Sequence, residues 1–406
     1  MDLTAFDHLL TERGQELLGE LGALPEPVDP LTAATRLRAR FPAELVVTAL
    51  TQDRLRRRAA AKFGERAASM YFTEAGYEQS TRLGVARLRA ERFTRAGVRS
   101  VADLCCGIGG DALAFAEAGI RVLAVDRDPV TCAVLQANAA ALGVDDLIRV
   151  ECDDVTSVDL GDCDAVFLDP ARRGERGRVF DPGAYSPPWS FAVGLADRFA
   201  AAGFKVAPGI PHEEIPAGAE AEFVSDSGDV KEAGIYFGDL RTAERRATLL
   251  PGPHTLTSTP LGEPDPQSGH IKTYLYEPDG AVIRARLIGE LAASLDANTL
   301  DPTIAYLTAD QYTPTPFAAA YEVTDVLPFT VKKLRALVAE RGYGTLAIKK
   351  RGADVDPAAL RKQLRPTGPK TNAATIIVTR HLGRHVALVA RAMSTATTSS
   401  AGSSPT

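Results

Sequence analysis

Acidic residues stand at four places where short apolar runs of this chain end. Asp103 precedes a glycine-rich turn, Cys105-Cys-Gly-Ile-Gly-Gly110, and Asp126 closes the run Arg121 to Val125. Asp153 and Asp154 follow Ile148 to Cys152, and Asp169 follows Ala165 to Leu168. Glycines between a strand and a helix permit a tight turn and let a ligand approach backbone that a side chain would shield. A carboxylate at the end of the next strand can accept hydrogen bonds from both hydroxyls of an adenosine ribose. Together these residues imply a nucleoside-cofactor site. Gly107, Gly109 and Ala112 fit G-x-G-x-x-A, which alone would suit a dinucleotide. Asp103 points elsewhere: a carboxylate ahead of the glycines would repel a pyrophosphate and suits the ammonium of S-adenosylmethionine. Methyl transfer is therefore preferred over hydride transfer.

On this reading Asp103, Gly107 and Gly109 line the methionyl side, with Cys105 in the same turn. Asp126 meets the ribose and Asp154 the adenine amino group. Loop or helix capping is the plainer role for Asp103 and Asp126, and Asp153 is an alternative to Asp154. Cys105 and Cys106 read first as small residues in tight packing rather than as nucleophiles. Substrate should meet the methyl group at Asp169-Pro-Ala-Arg172-Arg173. Methyl transfer needs a nucleophile aligned behind the sulfonium carbon, so positioning does most of the work. Asp169 can accept a hydrogen bond from a target amine; Arg172 can stack on a base, pair with phosphate, or form a structural ion pair. Asp181 and Trp189, the only tryptophan, lie in the following loop, where Trp189 either packs or stacks on a base.

A second chemical feature lies far downstream. Between Val331 and Arg365 ten lysines and arginines face three acidic residues, within a chain of net charge −6. Lys349, Lys350 and Arg351 form its densest point, beside Tyr343. Such a cluster suits a phosphate backbone, although a merely solvated basic face is the alternative. His381 and His385 lack a third neighbour that would make them metal ligands, so no metal site is expected.

These residues need elements to position them. Residues 1–92 carry helical spacing (Leu9, Leu10, Leu17, Leu18), with Asp29-Pro30 as a cap and Thr32 as a second candidate. Arg54 to Lys62 is a basic helix face, and Tyr71 to Thr81 either packs or roofs the site. Residues 93–252 alternate strands and helices, which predicts an α/β fold with a doubly wound, mostly parallel sheet. Lys272 to Tyr276 and Ile304 to Thr308 read as strands, Val282 to Leu295 as one helix and Pro328 to Glu340 as another. Thr345 to Lys349 is a further strand and Pro357 to Leu364 a helix. Ala374 to Thr379 and Val386 to Ala390 form a hairpin, and 393–406 is too poor in apolar residues to fold. An N-terminal helical region and a C-terminal α+β region thus flank the central sheet.

Composition excludes several classes. Apolar residues make up 45% and charged residues 24%, ordinary for a globular chain. No apolar run reaches the roughly 18 residues of a membrane span. Asp2 and Asp7 replace a basic leader, so no signal peptide is expected and a cytoplasmic location is. The five cysteines include no C-x-x-C pair, which argues against a zinc site or a disulfide framework.

From Tyr71 to Leu240 the chain resembles the class I S-adenosylmethionine-dependent methyltransferases, and among them the trimethylguanosine synthase group. The likeness lies in Asp103-Leu-Cys-Cys-Gly-Ile-Gly-Gly, Val125-Asp-Arg-Asp-Pro129, Ala137-Asn-Ala139, Cys152-Asp-Asp154 and Tyr236-Phe-Gly-Asp-Leu240. That group carries Ser-Pro-Pro-Trp after its fourth strand, where this chain has Asp169-Pro-Ala-Arg172; Ser186-Pro-Pro-Trp189 occurs downstream. Leu327-Pro-Phe329, Ala347-Ile-Lys-Lys-Arg-Gly352 and Thr375-Ile-Ile-Val-Thr379 resemble the THUMP-like module of bacterial methyltransferases, and 271–326 is similar to their ferredoxin-like insert. The resemblance implies domains at 93–252, 271–326 and 327–392 and an RNA substrate, tRNA or rRNA, methylated on a base nitrogen. Two other functions stay open: methylation of a protein or small molecule, and RNA binding by a chain that keeps a cofactor pocket without catalysis.

Overall fold

The structure is a computed structural model that describes residues 1–23, 29–172, 185–259 and 266–393. Asp181 and the tail from 394 lie outside the described residues. The chain forms two compact units, 1–221 with 232–242, and 222–231 with 243–406.

The first unit opens with helices α1 (Leu3–Leu10), α2 (Glu12–Gly22), α3 (Pro30–Leu37), α4 (Ala43–Phe63), α5 (Glu74–Gln79) and α6 (Leu83–Arg95). Short polar residues start most of them. Asp2, Thr11, Asp29 and Thr73 each accept a hydrogen bond from a first-turn N–H, and Pro30 follows Asp29 as expected. Thr32 is not a cap; its hydroxyl donates to Asp29.

The sheet follows: β1 (Ser100–Leu104), α7 (Gly110–Glu117), β2 (Arg121–Asp126), α8 (Pro129–Leu142), β3 (Ile148–Cys152) and β4 (Ala165–Leu168). A two-residue pair, β5 (Ala171–Arg172) and β6 (Tyr185–Ser186), precedes α9 (Trp189–Ala196) and β7 (Ala201–Val206). Strand β8 (Glu220–Asp226) leads to β9 (Asp229–Gly238). In this unit the order is β9-β7-β4-β1-β2-β3, with β7 to β3 parallel and β9 antiparallel on β7. β1 and β4 are buried at every residue, as strands covered on both faces must be. The N-terminal helices share one apolar core with the sheet, from Phe6, Leu17 and Phe72 to Phe115 and Phe167.

The second unit holds β10 (Arg245–Leu250) and β11 (His254–Thr257), then β12 (Tyr274–Pro278), α10 (Gly280–Arg284), α11 (Ile288–Leu295), β13 (Asn298–Asp301) and β14 (Ile304–Ala309). β15 (Ala318–Pro328), α12 (Val331–Glu340), β16 (Thr345–Lys350), α13 (Pro357–Leu364), β17 (Ala373–His381) and β18 (Arg384–Ala392) complete it. Seven strands form one sheet, β13-β14-β12-β15-β18-β17-β16. Period-two alternation builds two apolar layers: Ile376, Val378, Ala387 and Val389 join Leu334, Leu346 and Leu360, while Ile377 and Leu388 join Leu275 and Tyr306.

Three expectations need correction. The single helix over Val282 to Leu295 is two, because Arg286 takes a left-handed φ of 55° and the Leu287 N–H closes back onto the Val282 carbonyl at 3.0 Å. The helix expected from Pro328 begins at Val331, capped by Thr330, since Pro328 is the last residue of β15. β15 itself had no sequence signal: its Ala318-Ala-Ala320 start favours helix by propensity, and pairing with β12 and β18 overrides it.

Candidate active site

The glycine turn runs from the end of β1 into α7. Cys105, Gly107 and Gly109 have φ of 60°, 56° and 94°. A Cβ on Gly109 would fall inside the Leu135 side chain, whereas Gly107 faces open space. One glycine is thus needed by packing, and the other leaves its backbone approachable. Asp126, at the end of β2, fixes the turn: its Oδ2 accepts from the Gly107 N–H (3.1 Å) and its Oδ1 from the Asp128 N–H (3.0 Å). Each carboxylate oxygen keeps a lone pair for a further donor. Asp154 is exposed and accepts from the Thr156 N–H (2.9 Å) and hydroxyl (2.7 Å), which hold its carboxyl below the usual range. Asp153 accepts from the Asp154 N–H at 2.7 Å. Cys105 is half-buried; burial pushes the Cys106 thiol far up and the Cys132 thiol up to about 12, so neither is a ready nucleophile.

A layer of buried charge lies next to this turn. Asp103, on β1, is 1% exposed, and both its carboxylate oxygens lack a hydrogen-bond partner among the described residues. Burial first, then the nearby Asp111 and Asp169 carboxylates, push its carboxyl well above the ordinary range, partly opposed by Arg89 and Lys205. Arg89 on α6, 2% exposed, pairs with Asp111 of α7 and Glu232 of β9 and lies 4.5 Å over the Phe167 ring. The Thr81 hydroxyl donates to Asp111 (2.6 Å) and accepts from the Lys205 ammonium (3.0 Å). That ammonium also donates to Asp169 Oδ2 at 2.6 Å. Four carboxylates therefore face two cations, a deficit of positive charge that a cationic ligand would relieve.

Asp169 sits one residue beyond β4, its N–H bonded to the Leu104 carbonyl (3.1 Å). It therefore stands at the carboxyl end of the parallel strands, beside the glycine turn. The side chain of Arg172 lies outside the described residues. Trp189 packs: it is buried, its indole N–H donates to the Glu214 carbonyl (3.3 Å), and its ring meets Phe204 edge-on. The segment from Tyr71 to Thr81 packs against the turn and the helices beside it. Asn138 clasps the Tyr71 backbone and the Ile108 carbonyl, Gly76 lies against Ile108, and Thr81 reaches Asp111. Lys205, Arg89 and Glu232 were missed from the sequence, where no motif marks them; only an isolated charge inside an apolar strand or helix face could have drawn notice.

The basic segment of the second unit is not one patch. Lys349 and Lys350 are successive residues of β16 and point to opposite faces. Lys349 pairs with Glu277 (2.5 Å) and lies 5.7 Å over the Tyr321 ring, and Arg351 lies over Tyr306. Lys350 is exposed, as are Lys332, Lys333, Arg335, Arg361, Lys362 and Arg365. Among the described residues no group of three or more His, Cys, Asp or Glu could hold a metal ion, and no helix is long and apolar enough to cross a membrane.

Comparison with known proteins agrees with this geometry. Residues 98–190 match the RNA cap guanine-N2 methyltransferase family, 318–392 a THUMP domain-like family, and 2–59 a domain of unknown function. Uncharacterised S-adenosylmethionine-dependent methyltransferases from two Mycobacterium tuberculosis strains are each 35% identical over 364 residues, spanning 85% of this chain and 95% of the relative. The crystal structure of a putative methyltransferase from Porphyromonas gingivalis W83 superposes with a TM-score of 0.74 at 21% identity, covering 94% of this chain and 99% of that one. It shares the fold. The site fits the cofactor these relatives name: an unpaired buried carboxylate for a cationic end, and open backbone at Gly107 for close approach. The chain belongs to the S-adenosylmethionine-dependent methyltransferases.

Proposed function

We propose that the enzyme methylates a base nitrogen in RNA, tRNA or rRNA, in the cytoplasm, where its free cysteines would stay reduced. The observation that carries the reading is the placement of Asp169. A carboxylate at the carboxyl end of β4, beside the glycine turn, supports the reading as a hydrogen-bond acceptor for a substrate nitrogen. The match of the surrounding residues to an RNA-modifying family supports the choice of substrate, as does the THUMP-like match downstream.

S-adenosylmethionine, when bound, supplies an electrophilic methyl group on a sulfonium. Asp103 would hold its ammonium, Asp126 its ribose hydroxyls, Asp154 its adenine amine, and the turn at Cys105, Gly107 and Gly109 would lie along it. Asp169 accepts a hydrogen bond from the substrate N–H and so aims the nitrogen lone pair. The bound cofactor would supply its methyl carbon to that lone pair, with the C–S electron pair left on sulfur. The proton shed by nitrogen leaves along the hydrogen bond to Asp169 and on to water. Arg172 is the residue for the base or an adjoining phosphate, and Lys350 with the exposed cations of α12 and α13 for the RNA backbone.

Tritium transfer from labelled S-adenosylmethionine into tRNA, rRNA and a protein extract, assayed in parallel, tests this. Label in an RNA fraction, lost with Asp169→Ala while RNA binding persists, is expected. Label in protein alone, or none despite measured cofactor binding, overturns it.

A further inference from the structure

Among the described residues, Lys205 is the cation in direct contact with the proposed nucleophile-orienting carboxylate. The sheet explains how it comes to be there. Phe167 pairs in register with Asp103 on one side and Gly203 on the other, so Asp169 and Lys205, each two residues on, share the face that carries Asp103. Gly203 leaves room on that face for the Phe93 ring, and α6 covers it. Lys205 is 16% exposed and Asp169 31%, so both reach the surface of the site. An ammonium has three N–H donors. One goes to Asp169 Oδ2 (2.6 Å) and one to the Thr81 hydroxyl (3.0 Å). The third has no acceptor among the described residues.

We infer that Lys205 is a positioning and specificity-determining residue of the methyl-transfer site: it fixes Asp169 and, with its third N–H, reads an acceptor on the substrate next to the nucleophilic nitrogen. The inference rests on the proposed methylation of a base nitrogen. Asp169 and Lys205 then present an acceptor and a donor side by side. The complementary edge carries an N–H beside a ring nitrogen or carbonyl oxygen, the amidine- or amide-type edge of a nucleobase. A lysine side chain of a protein offers no such acceptor and arrives as a cation, which the Lys205 ammonium repels. Burial alone would lower the Lys205 ammonium, but Asp169, Glu232 and Asp111 outweigh it and keep it charged.

The experiment compares wild type with Lys205→Met and Lys205→Arg in the full chain, using bacterial tRNA and rRNA fractions and labelled S-adenosylmethionine. Thermal unfolding and cofactor affinity are measured on each. Lys205→Met should lower kcat at least about a hundredfold with cofactor affinity unchanged, and Lys205→Arg should recover about tenfold of that loss. Wild type labelling RNA while Lys205→Met keeps kcat within about threefold overturns this inference alone. Wild type binding cofactor but labelling no RNA overturns the base-methylation reading and this one with it. Should Lys205→Met fail to fold, Thr81→Val is set against Thr81→Ser, which keeps the hydroxyl. A kcat about tenfold lower for Val supports the arrangement, and equal rates overturn it.

Discussion

At the scale of single residues, Asp103 and Arg89 are opposite solutions to buried charge. Asp103 has no hydrogen-bond partner among the described residues, and its carboxyl is held well above its ordinary range by burial and by Asp111 and Asp169. A cation bound there would lower that proton affinity, so binding of a cationic ligand and release of a proton should be linked. Affinity for S-adenosylmethionine should rise with pH until the free protein's Asp103 ionises by itself, then level off. Calorimetry in two buffers of different ionisation enthalpy should show proton release for wild type and none for Asp103→Asn. That variant should also bind roughly ten- to a hundredfold more weakly, the usual worth of a hydrogen bond to a charged group. Equal proton release in both would remove Asp103 from the cofactor contact. Arg89, in contrast, holds two carboxylates and covers Phe167. Arg89→Met would leave Asp111 and Glu232 buried without their ion-pair partner, and should cost about 3–5 kcal/mol of stability in denaturant unfolding. A loss below about 1 kcal/mol, that of a surface pair, would show that the layer relaxes around water.

At the scale of elements, the glycine turn separates two roles that the motif runs together. Both Gly107 and Gly109 have left-handed φ, but only Gly109 has its Cβ space filled, by Leu135. Gly107→Ala should cost about 1–2 kcal/mol, the conformational penalty alone, and act mainly on cofactor affinity. Gly109→Ala adds a clash with α8 worth about 1–3 kcal/mol more, and should appear first in the melting temperature. Equal melting temperatures would mean that α8 shifts without cost. The turn was legible in the sequence because a short apolar run, glycines and a polar strand end coincide within a dozen residues. So were the parallel strands β1, β4 and β7, whose buried runs are nearly continuous, and Asp126 and Asp169 at strand ends. What could not be read comes from residues distant along the chain. Lys205 meets Thr81 across 124 positions and Arg89 meets Glu232 across 143, so no local pattern announces either contact. β15 failed differently: local alanine preference favours helix, and only neighbours on both sides make it a strand.

At the scale of the whole molecule, the chemistry and the basic surface belong to different units, so affinity for RNA and turnover should be separable by mutation. The sequence groups Lys349, Lys350 and Arg351 as one cluster, but strand geometry divides them. Lys349 is occupied by Glu277 and stacked near Tyr321, while Lys350 is exposed. A phosphate contact made by an exposed cation releases condensed counterions, so its loss shows in the salt dependence of binding. A cation already paired within the protein releases none. Lys350→Ala should therefore weaken RNA binding and reduce the slope of log affinity against log salt by about 0.7–0.9. Lys349→Ala should leave that slope unchanged and instead lower the stability of the second unit, because Glu277 is left beside the buried Tyr306 and Tyr321 without its partner. Filter binding of tRNA from about 50 to 200 mM salt, with thermal unfolding of each variant, distinguishes the two effects. A reduced slope for Lys349→Ala would mean that its pair with Glu277 opens on binding. An unchanged slope for Lys350→Ala, extended to Lys332, Lys333 and Arg335, would take this face out of RNA docking and leave the cations of α13 to carry it.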